Sequence, residues 1–225
     1  MKPKLLVVGS GPRGELVGDP FKKHFDLHTM DIDQKVKPHT VGDMRRMPFE
    51  NESFEAVMAQ HVLEHVSSTD VGRAIKEMYR VLKPGGEIFI GVPNLAFACE
   101  RILEGKIFEA AYCIRPDGTS RGYPITPLDM VYGWHVMVRF NKGWTHRYGF
   151  TRESLFKWMH FNPELRWSFC VSHEVRMLGD LDRTEVRFYG IKEGKPTYEH
   201  FSEWANNHDL DVGDPYAVKE EIENG

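Results

Sequence analysis

Gly9-Ser10-Gly11-Pro12-Arg13-Gly14 follows the apolar run Leu5–Val8. A G-x-G-x-x-G turn behind a buried strand lets the backbone turn tightly and lets a ligand approach it closely. Asp31 comes 22 positions after Gly9. A carboxylate at the end of the next strand can accept hydrogen bonds from both hydroxyls of a ribose, and Asp33 competes for that role. These signals fit a dinucleotide site as well as any other nucleoside site. A third pattern, His61-Val-Leu-Glu64-His65, matches H-x-x-E-H, in which both histidines bind zinc and the glutamate is the base. Its place directly after a strand, with no remote third ligand evident, favours a structural or pocket-lining role for Glu64 and His65. Nothing in the sequence requires a metal.

A second group of candidates lies in residues 95–150, which are rich in aromatics and histidines. His146 and His135 can take a proton from a nucleophile near neutral pH. Arg147 can hold an anionic group, and Tyr132 and Asn94 are further candidate acceptor contacts. Aromatics and histidines in a lid also pack against one another, the reading preferred for Trp134 and Trp144.

The elements that position these residues can be read from periodicity. Leu5–Val8, Asp26–Ile32, His39–Val41, Phe54–Ala59 and Glu87–Val92 read as five strands whose near-continuous apolar runs suit a parallel sheet covered on both faces. Val71, Ile75, Met78 and Leu82 repeat at helical spacing behind the capping run Ser67–Asp70, and Pro84-Gly85-Gly86 stops that helix. The early connections are lean: Gly18-Asp-Pro20 interrupts the first helix region, and the second and third strands leave room for a single helical turn. Residues 95–150 read as an insertion over the ligand end, opening with a helix near Leu95–Leu103. Thr151 then caps a helix through His160. Cys170–Met177 and Glu185–Ile191 read as an antiparallel hairpin at the sheet edge. The fold class is therefore α/β, a Rossmann-like doubly wound and mostly parallel sheet. It occupies residues 1–192, followed by a polar, acidic tail over 193–225 that reads as a loosely packed helix or partial disorder.

The order Gly42-Asp43-Met44, Met47-Pro48-Phe49, Ser53-Phe54-Glu55-Ala56-Val57, Val62-Leu63-Glu64-His65-Val66 and Arg80-Val81-Leu82-Lys83-Pro84-Gly85-Gly86 resembles the type 11 branch of the class I S-adenosylmethionine-dependent methyltransferases. The resemblance covers roughly residues 4–94. It implies S-adenosylmethionine as cofactor and direct transfer of its methyl group to an acceptor. It also implies roles. Gly9, Ser10, Gly11 and Gly14 would lie under the methionine portion. Asp31 would hold the ribose, with Ile32 beside the adenine. Asp43 would receive the adenine amino group, Met44 would cover the ring, and Gln60 and His61 would line the carboxylate and sulfonium. One departure is Val7, where family members usually carry an acid; Glu15 is a possible substitute. The segments Thr126–Gly133 and Thr145–Thr151 resemble a stretch of uncharacterised bacterial type 11 proteins, implying a shared cap. A non-catalytic methyltransferase-fold binding protein is the principal alternative; a nicotinamide-dependent oxidoreductase fits the Asp43, LEHV and KPGG segments less well.

Composition narrows the partners. The 225 residues are 41% hydrophobic and 28% charged, which suits one soluble globular domain. A net charge of −4 argues against gripping nucleic acid through its phosphates and favours a small-molecule acceptor. The three cysteines fall in no C-x-x-C spacing, which points to reduced thiols and a cytoplasmic location. No apolar run is long enough to span a membrane.

Overall fold

The computed structural model describes residues 1–11, 17–114, 123–175 and 183–207. Gly14, Glu15 and residues 208–225 lie outside them. Strands β1 (Lys4–Val8), β2 (Asp26–Asp31), β3 (Thr40–Val41), β4 (Phe54–Gln60), β5 (Leu82–Pro93), β8 (Trp167–Val175) and β9 (Glu185–Lys192) form one sheet in the order β3-β2-β1-β4-β5-β9-β8. The first five strands are parallel; β9 runs antiparallel to β5, and β8 antiparallel to β9. The chain leaves β1 toward β2 on one side and β4 lies on the other. The strand order therefore reverses between β1 and β4, and the crevice beyond their carboxyl ends is the natural ligand site.

The central strands β1 and β4 bury both faces. Leu6 and Val8 of β1 join the larger core with Val57, Ile88 and Ile90, and helices α2 (Ser68–Val81) and α6 (Arg152–His160) cover it with Ile75, Met78, Leu155 and Met159. Leu5 and Val7 point the other way, into a cluster with Phe25, Ala56, Met58, Phe201 and Ala205. Val7, the position where an acid was expected, is thus a core residue of the second face.

Four local readings change. Pro20 sits in the first turn of α1 (Asp19–His24), so Gly18-Asp-Pro20 starts a helix instead of interrupting one; Pro tolerates that position because its missing N–H has no partner there. Ser67 occupies the cap position of α2, but its hydroxyl turns to Thr69 and Asp70. Pro84-Gly85-Gly86 is part of β5, which begins at Leu82 with a register shift opposite Phe54 and Ala56. Finally, the tail packs as far as Ala205. Helix α7 (Phe201–Asn207) seats Phe201 in the second core, where its ring stacks on Phe21 at 4.1 Å. A polar average hid the few apolar residues that do this.

The segment between β5 and α6 opens with a helix, α3 (Leu95–Leu103), and continues in short elements: the antiparallel pair β6 (Tyr112–Ile114) and β7 (Tyr123–Ile125), α4 (Pro127–Tyr132) and α5 (His135–Val138). It has a small core of its own from Phe97, Ala98, Ile125 and Met130. Its return leg is pinned to the sheet end: Arg147 and Tyr148 donate their N–H groups to the Glu64 carbonyl, and Leu95 donates to the Phe150 carbonyl.

Candidate functional site

Two groups of residues gather at the carboxyl ends of the parallel strands. The first is the loop after β1. Gly9 and Gly11 both have left-handed backbone angles (φ +63° and +56°), which side chains rarely adopt. A Cβ on Gly9 would lie 2.2 Å from Val62, whereas a Cβ on Gly11 would enter open space. Gly9 therefore serves close packing and Gly11 keeps a cradle clear. Gly9 and Ser10 donate to the Met30 carbonyl. Asp31 ties the loop down: its Oδ2 accepts from Gly11 N at 2.9 Å and its Oδ1 from Asp33 N at 2.9 Å. Backbone donors thus orient the half-buried Asp31 carboxylate and leave lone pairs free. Asp33 instead caps the short turn Gln34–Val36. Ile32, 67% exposed, offers an apolar surface beside Asp31. This open glycine cradle, oriented acid and apolar flank fit an adenosyl group with a charged amino-acid end.

Asp43 is brought to the same end but is already engaged. Arg45 grips it through Nε at 3.0 Å and Nη2 at 2.6 Å and reaches on to Asp70 at 3.0 Å. The guanidinium hydrogen bond holds the Asp43 carboxyl below its usual range. Sequence reading gave Asp43 an adenine amine and missed this partner. Met44 packs, half-buried, against the larger core.

The second group is charged and buried. His61, just past β4, also has a left-handed φ of +50° and continues the ladder by donating to the Gly91 carbonyl. Its Nε2 lies 3.3 Å from Glu185 Oε2 and its Nδ1 lies 3.6 Å from Glu64 Oε1. Burial alone would strip the ring of its proton; the two glutamates outweigh it and raise the His61 pKa to about 10. Burial likewise disfavours the Glu185 anion, but His61 and Arg187 pull its pKa down to about 2. Gln60 Nε2 and Arg187 Nε both donate to Glu185 Oε1, at 2.8 and 2.7 Å. Gly91 makes room for this knot, since a Cβ there would sit 2.6 Å from both Gln60 and Glu185. Glu185 escaped the sequence reading; an acid opening an otherwise buried strand was the available signal.

Glu64 connects the sheet to the cap. His146 Nε2 lies 3.9 Å from Glu64 Oε1, and the His65 and His146 rings meet edge to face at 4.9 Å. His146 Nδ1 bonds the Met130 carbonyl at 2.9 Å, and burial lowers the ring's pKa, with Glu64 opposing. The ring is therefore neutral at pH 7 with its Nε2 lone pair turned toward Glu64. His135 is not in this cluster: its side chain is 69% exposed, with Nδ1 2.6 Å from Asp129 Oδ1. Tyr132 and Arg147 flank the cluster through their backbones, but their side chains are exposed. Asn94 is buried and fully committed: its oxygen accepts from Ala96 and Phe97 at the start of α3, and its amide donates to Glu174 and the Arg183 carbonyl.

Comparisons with known proteins bear on the family and the fold. Residues 8–90 match the type 11 family model described as a methyltransferase domain. A demethylmenaquinone methyltransferase from Streptomyces griseus is 43% identical over 53 residues, 24% of this chain and 22% of that one. One from Geobacillus is 31% identical over 127 residues, covering 48% and 52%. The human protein named "Probable tRNA methyltransferase 9B" is 45% identical over 53 residues, covering 23% and 12%. These matches span about half or less of each relative's length. Among solved structures, a methyltransferase from Methanosarcina mazei has a TM-score of 0.54 at 16% identity, covering 86% of this chain and 94% of that one. One from Archaeoglobus fulgidus has a TM-score of 0.53 at 12% identity, covering 85% and 86%. The strand order is that of the class I methyltransferase fold, and residues 8–90 are similar to the methyltransferase domain of the type 11 family model.

Proposed function

We propose that the chain transfers a methyl group from S-adenosylmethionine to a small-molecule acceptor. The observation that carries this reading is Asp31, held by two backbone N–H groups beside an open glycine cradle. When bound, the cofactor supplies an electrophilic methyl on a sulfonium. Asp31 would hold the ribose hydroxyls, the Gly9–Gly11 backbone would pass under the methionine end, and Ile32 would cover the adenine. Asp43, Met44, Gln60 and His61 are assigned to the rest of that surface. Gln60 and His61 act there as groups locked by Glu185, so the site does not reorganise as the methyl moves.

Much of the rate would come from holding the acceptor in line with the methyl. His146 is the group assigned to take the acceptor's proton, because its Nε2 lone pair is free and its ring neutral. His135, Tyr132 and Arg147, with more exposed side chains, are assigned to the acceptor's outer end. The relatives' names span a quinone precursor and a tRNA. The net charge of −4 favours the small molecule over the polyanion. The family match stops at residue 90, before the cap, so acceptor choice belongs to residues outside it.

The test is calorimetric titration with S-adenosylmethionine and its demethylated product. The wild type should bind either at micromolar concentration. Asp31→Ala should weaken binding by about 1.5–3 kcal/mol, the scale of hydrogen bonds to a charged group. Gly11→Val should abolish it, because the side chain enters the cradle and the β-branched residue strains the left-handed backbone there; circular dichroism checks that the variant is folded. A folded wild type that binds neither compound would sink the reading and point to a scaffold or an assembly role.

A further inference from the structure

The H-x-x-E-H pattern is not used as its sequence suggests. Both nitrogens of His61 are turned to carboxylates, Nε2 to Glu185 at 3.3 Å and Nδ1 to Glu64 at 3.6 Å, so its ring is engaged away from the cap. His65 and Glu64 remain, and the cap adds the remote ligand that sequence could not show. We propose that Glu64, His65 and His146 form a binding site for one divalent metal ion of the zinc class. One ligand atom from each of the three residues can be chosen so that all lie within 4.8 Å of one another.

Three features make this a built site. Glu64 is 2% exposed, and neither of its carboxylate oxygens has a hydrogen-bond partner. A buried carboxylate without a donor is costly, and His61 Nδ1 at 3.6 Å lies beyond hydrogen-bond range of it. A cation would satisfy those oxygens. Second, both histidines are oriented as metal ligands usually are. His146 Nδ1 faces the Met130 carbonyl at 2.9 Å and His65 Nδ1 faces the Thr145 carbonyl at 3.2 Å. A carbonyl only accepts, so each Nδ1 carries the proton and each Nε2 keeps its lone pair. Third, two imidazoles and one carboxylate are a ligand set of catalytic zinc sites, which leave a fourth position open. Zinc bonds of about 2.0–2.2 Å set tetrahedral donors roughly 3.4 Å apart. His146 Nε2 and Glu64 Oε1, at 3.9 Å, need only a small side-chain adjustment.

The metal site stands on these contacts alone; only its role rests on the methyltransferase reading. With metal bound, His146 Nε2 becomes a ligand instead of a free base. An acceptor oxygen in the open position would then lose its proton to solvent on coordination, because a metal lowers the pKa of a bound hydroxyl or water.

The experiment is titration of chelator-treated, folded protein with Zn2+ and with Co2+. We expect one equivalent of Zn2+ per chain and the visible absorption of four-coordinate Co2+. Glu64→Gln and His65→Gln should each weaken Zn2+ binding by more than the ~10–100-fold that loss of an outer-shell partner costs. His160→Gln, at the exposed pair with Cys170, should bind as the wild type does. Should Glu64→Gln fail to fold, the half-buried His65→Gln carries the test. Wild type that takes up neither ion, or variants at Glu64 and His65 that bind like wild type, would overturn the site. Calorimetry with S-adenosylhomocysteine on the same samples separates the two readings. Nucleoside binding without metal leaves the methyltransferase reading standing, and metal binding without nucleoside leaves the metal site standing.

Discussion

Two glutamates are buried at full depth in the sheet, and their surroundings set them in opposite states. Glu185 opens β9 at the ligand end and meets His61, Arg187 and Gln60. Glu87 lies within β5 on the face under α7, where the Phe201 N–H donates to it at 2.5 Å. At Glu185 two cations overcome burial and hold the pKa near 2. At Glu87 burial prevails over the Phe201 amide and Tyr189, and the negative Glu203 adds to it, so the pKa rises to about 8. The ligand end is thus a place where opposite charges are assembled and held out of water. The face under α7 is a cover, where an acid is tolerated by keeping its proton. Burial itself does not decide the outcome; the presence of a cation at hydrogen-bond range does.

The sharpest way to break this contrast is Glu185→Ala. It leaves His61 buried with Glu64 as its one remaining close carboxylate among the described residues, and it strips Gln60 and Arg187 of their acceptor. Removing one partner of a buried pair costs about 3–5 kcal/mol. Urea denaturation should show a loss on that scale at pH 7. A loss under about 1 kcal/mol, the worth of an exposed pair, would mean that solvent already reaches the cluster.

Glu87→Gln should move stability the other way. Between the ordinary carboxylate value of 4.5 and the folded value of about 8, the unfolded chain releases a proton that the folded chain keeps. The unfolded state then binds fewer protons, so stability falls as pH rises through this window. At about 1.4 kcal/mol per pH unit, the penalty reaches roughly 3 kcal/mol by pH 7. Glu87→Gln keeps an acceptor for Phe201 and removes that penalty. It should raise the melting temperature at pH 8 clearly, change it little at pH 5, and flatten the slope between them. An unchanged slope would show that Glu87 is ionised in the folded chain.

The same contrast explains what could be read from sequence. The glycine cradle, Asp31, the five parallel strands and α2 depend on residues near one another along the chain or on periodicity, and each reappears within a few residues of its expected bounds. The charged knot does not. Glu185 meets Gln60 and His61 only because β9 is inserted beside β5, a pairing that no local pattern announces. His146 reaches Glu64 because the return leg of the cap hangs on the Glu64 carbonyl, a backbone contact with no side-chain signature. Arg45 took Asp43 at two residues' remove, which spacing alone could have suggested. The packing of α7 was hidden because Phe201 and Ala205 are few among polar neighbours.

The smallest effect concerns Asn94 and separates ligand-end residues that serve the fold from those that serve chemistry. Asn94 stands at the carboxyl end of β5, where an acceptor contact was expected, and it is 1% exposed. All its polar capacity is internal: two N–H groups at the start of α3, the Glu174 carboxylate and the Arg183 carbonyl. Asn94→Ala removes a helix cap, worth about 0.5–2 kcal/mol. It should therefore lower stability by that amount while leaving S-adenosylhomocysteine affinity as it was. Asp31→Ala should do the reverse, because the Asp31 carboxylate keeps lone pairs beyond its two backbone donors. A variant of Asn94 that folds with wild-type stability yet binds nucleoside or acceptor more weakly would move this residue from the scaffold into the site.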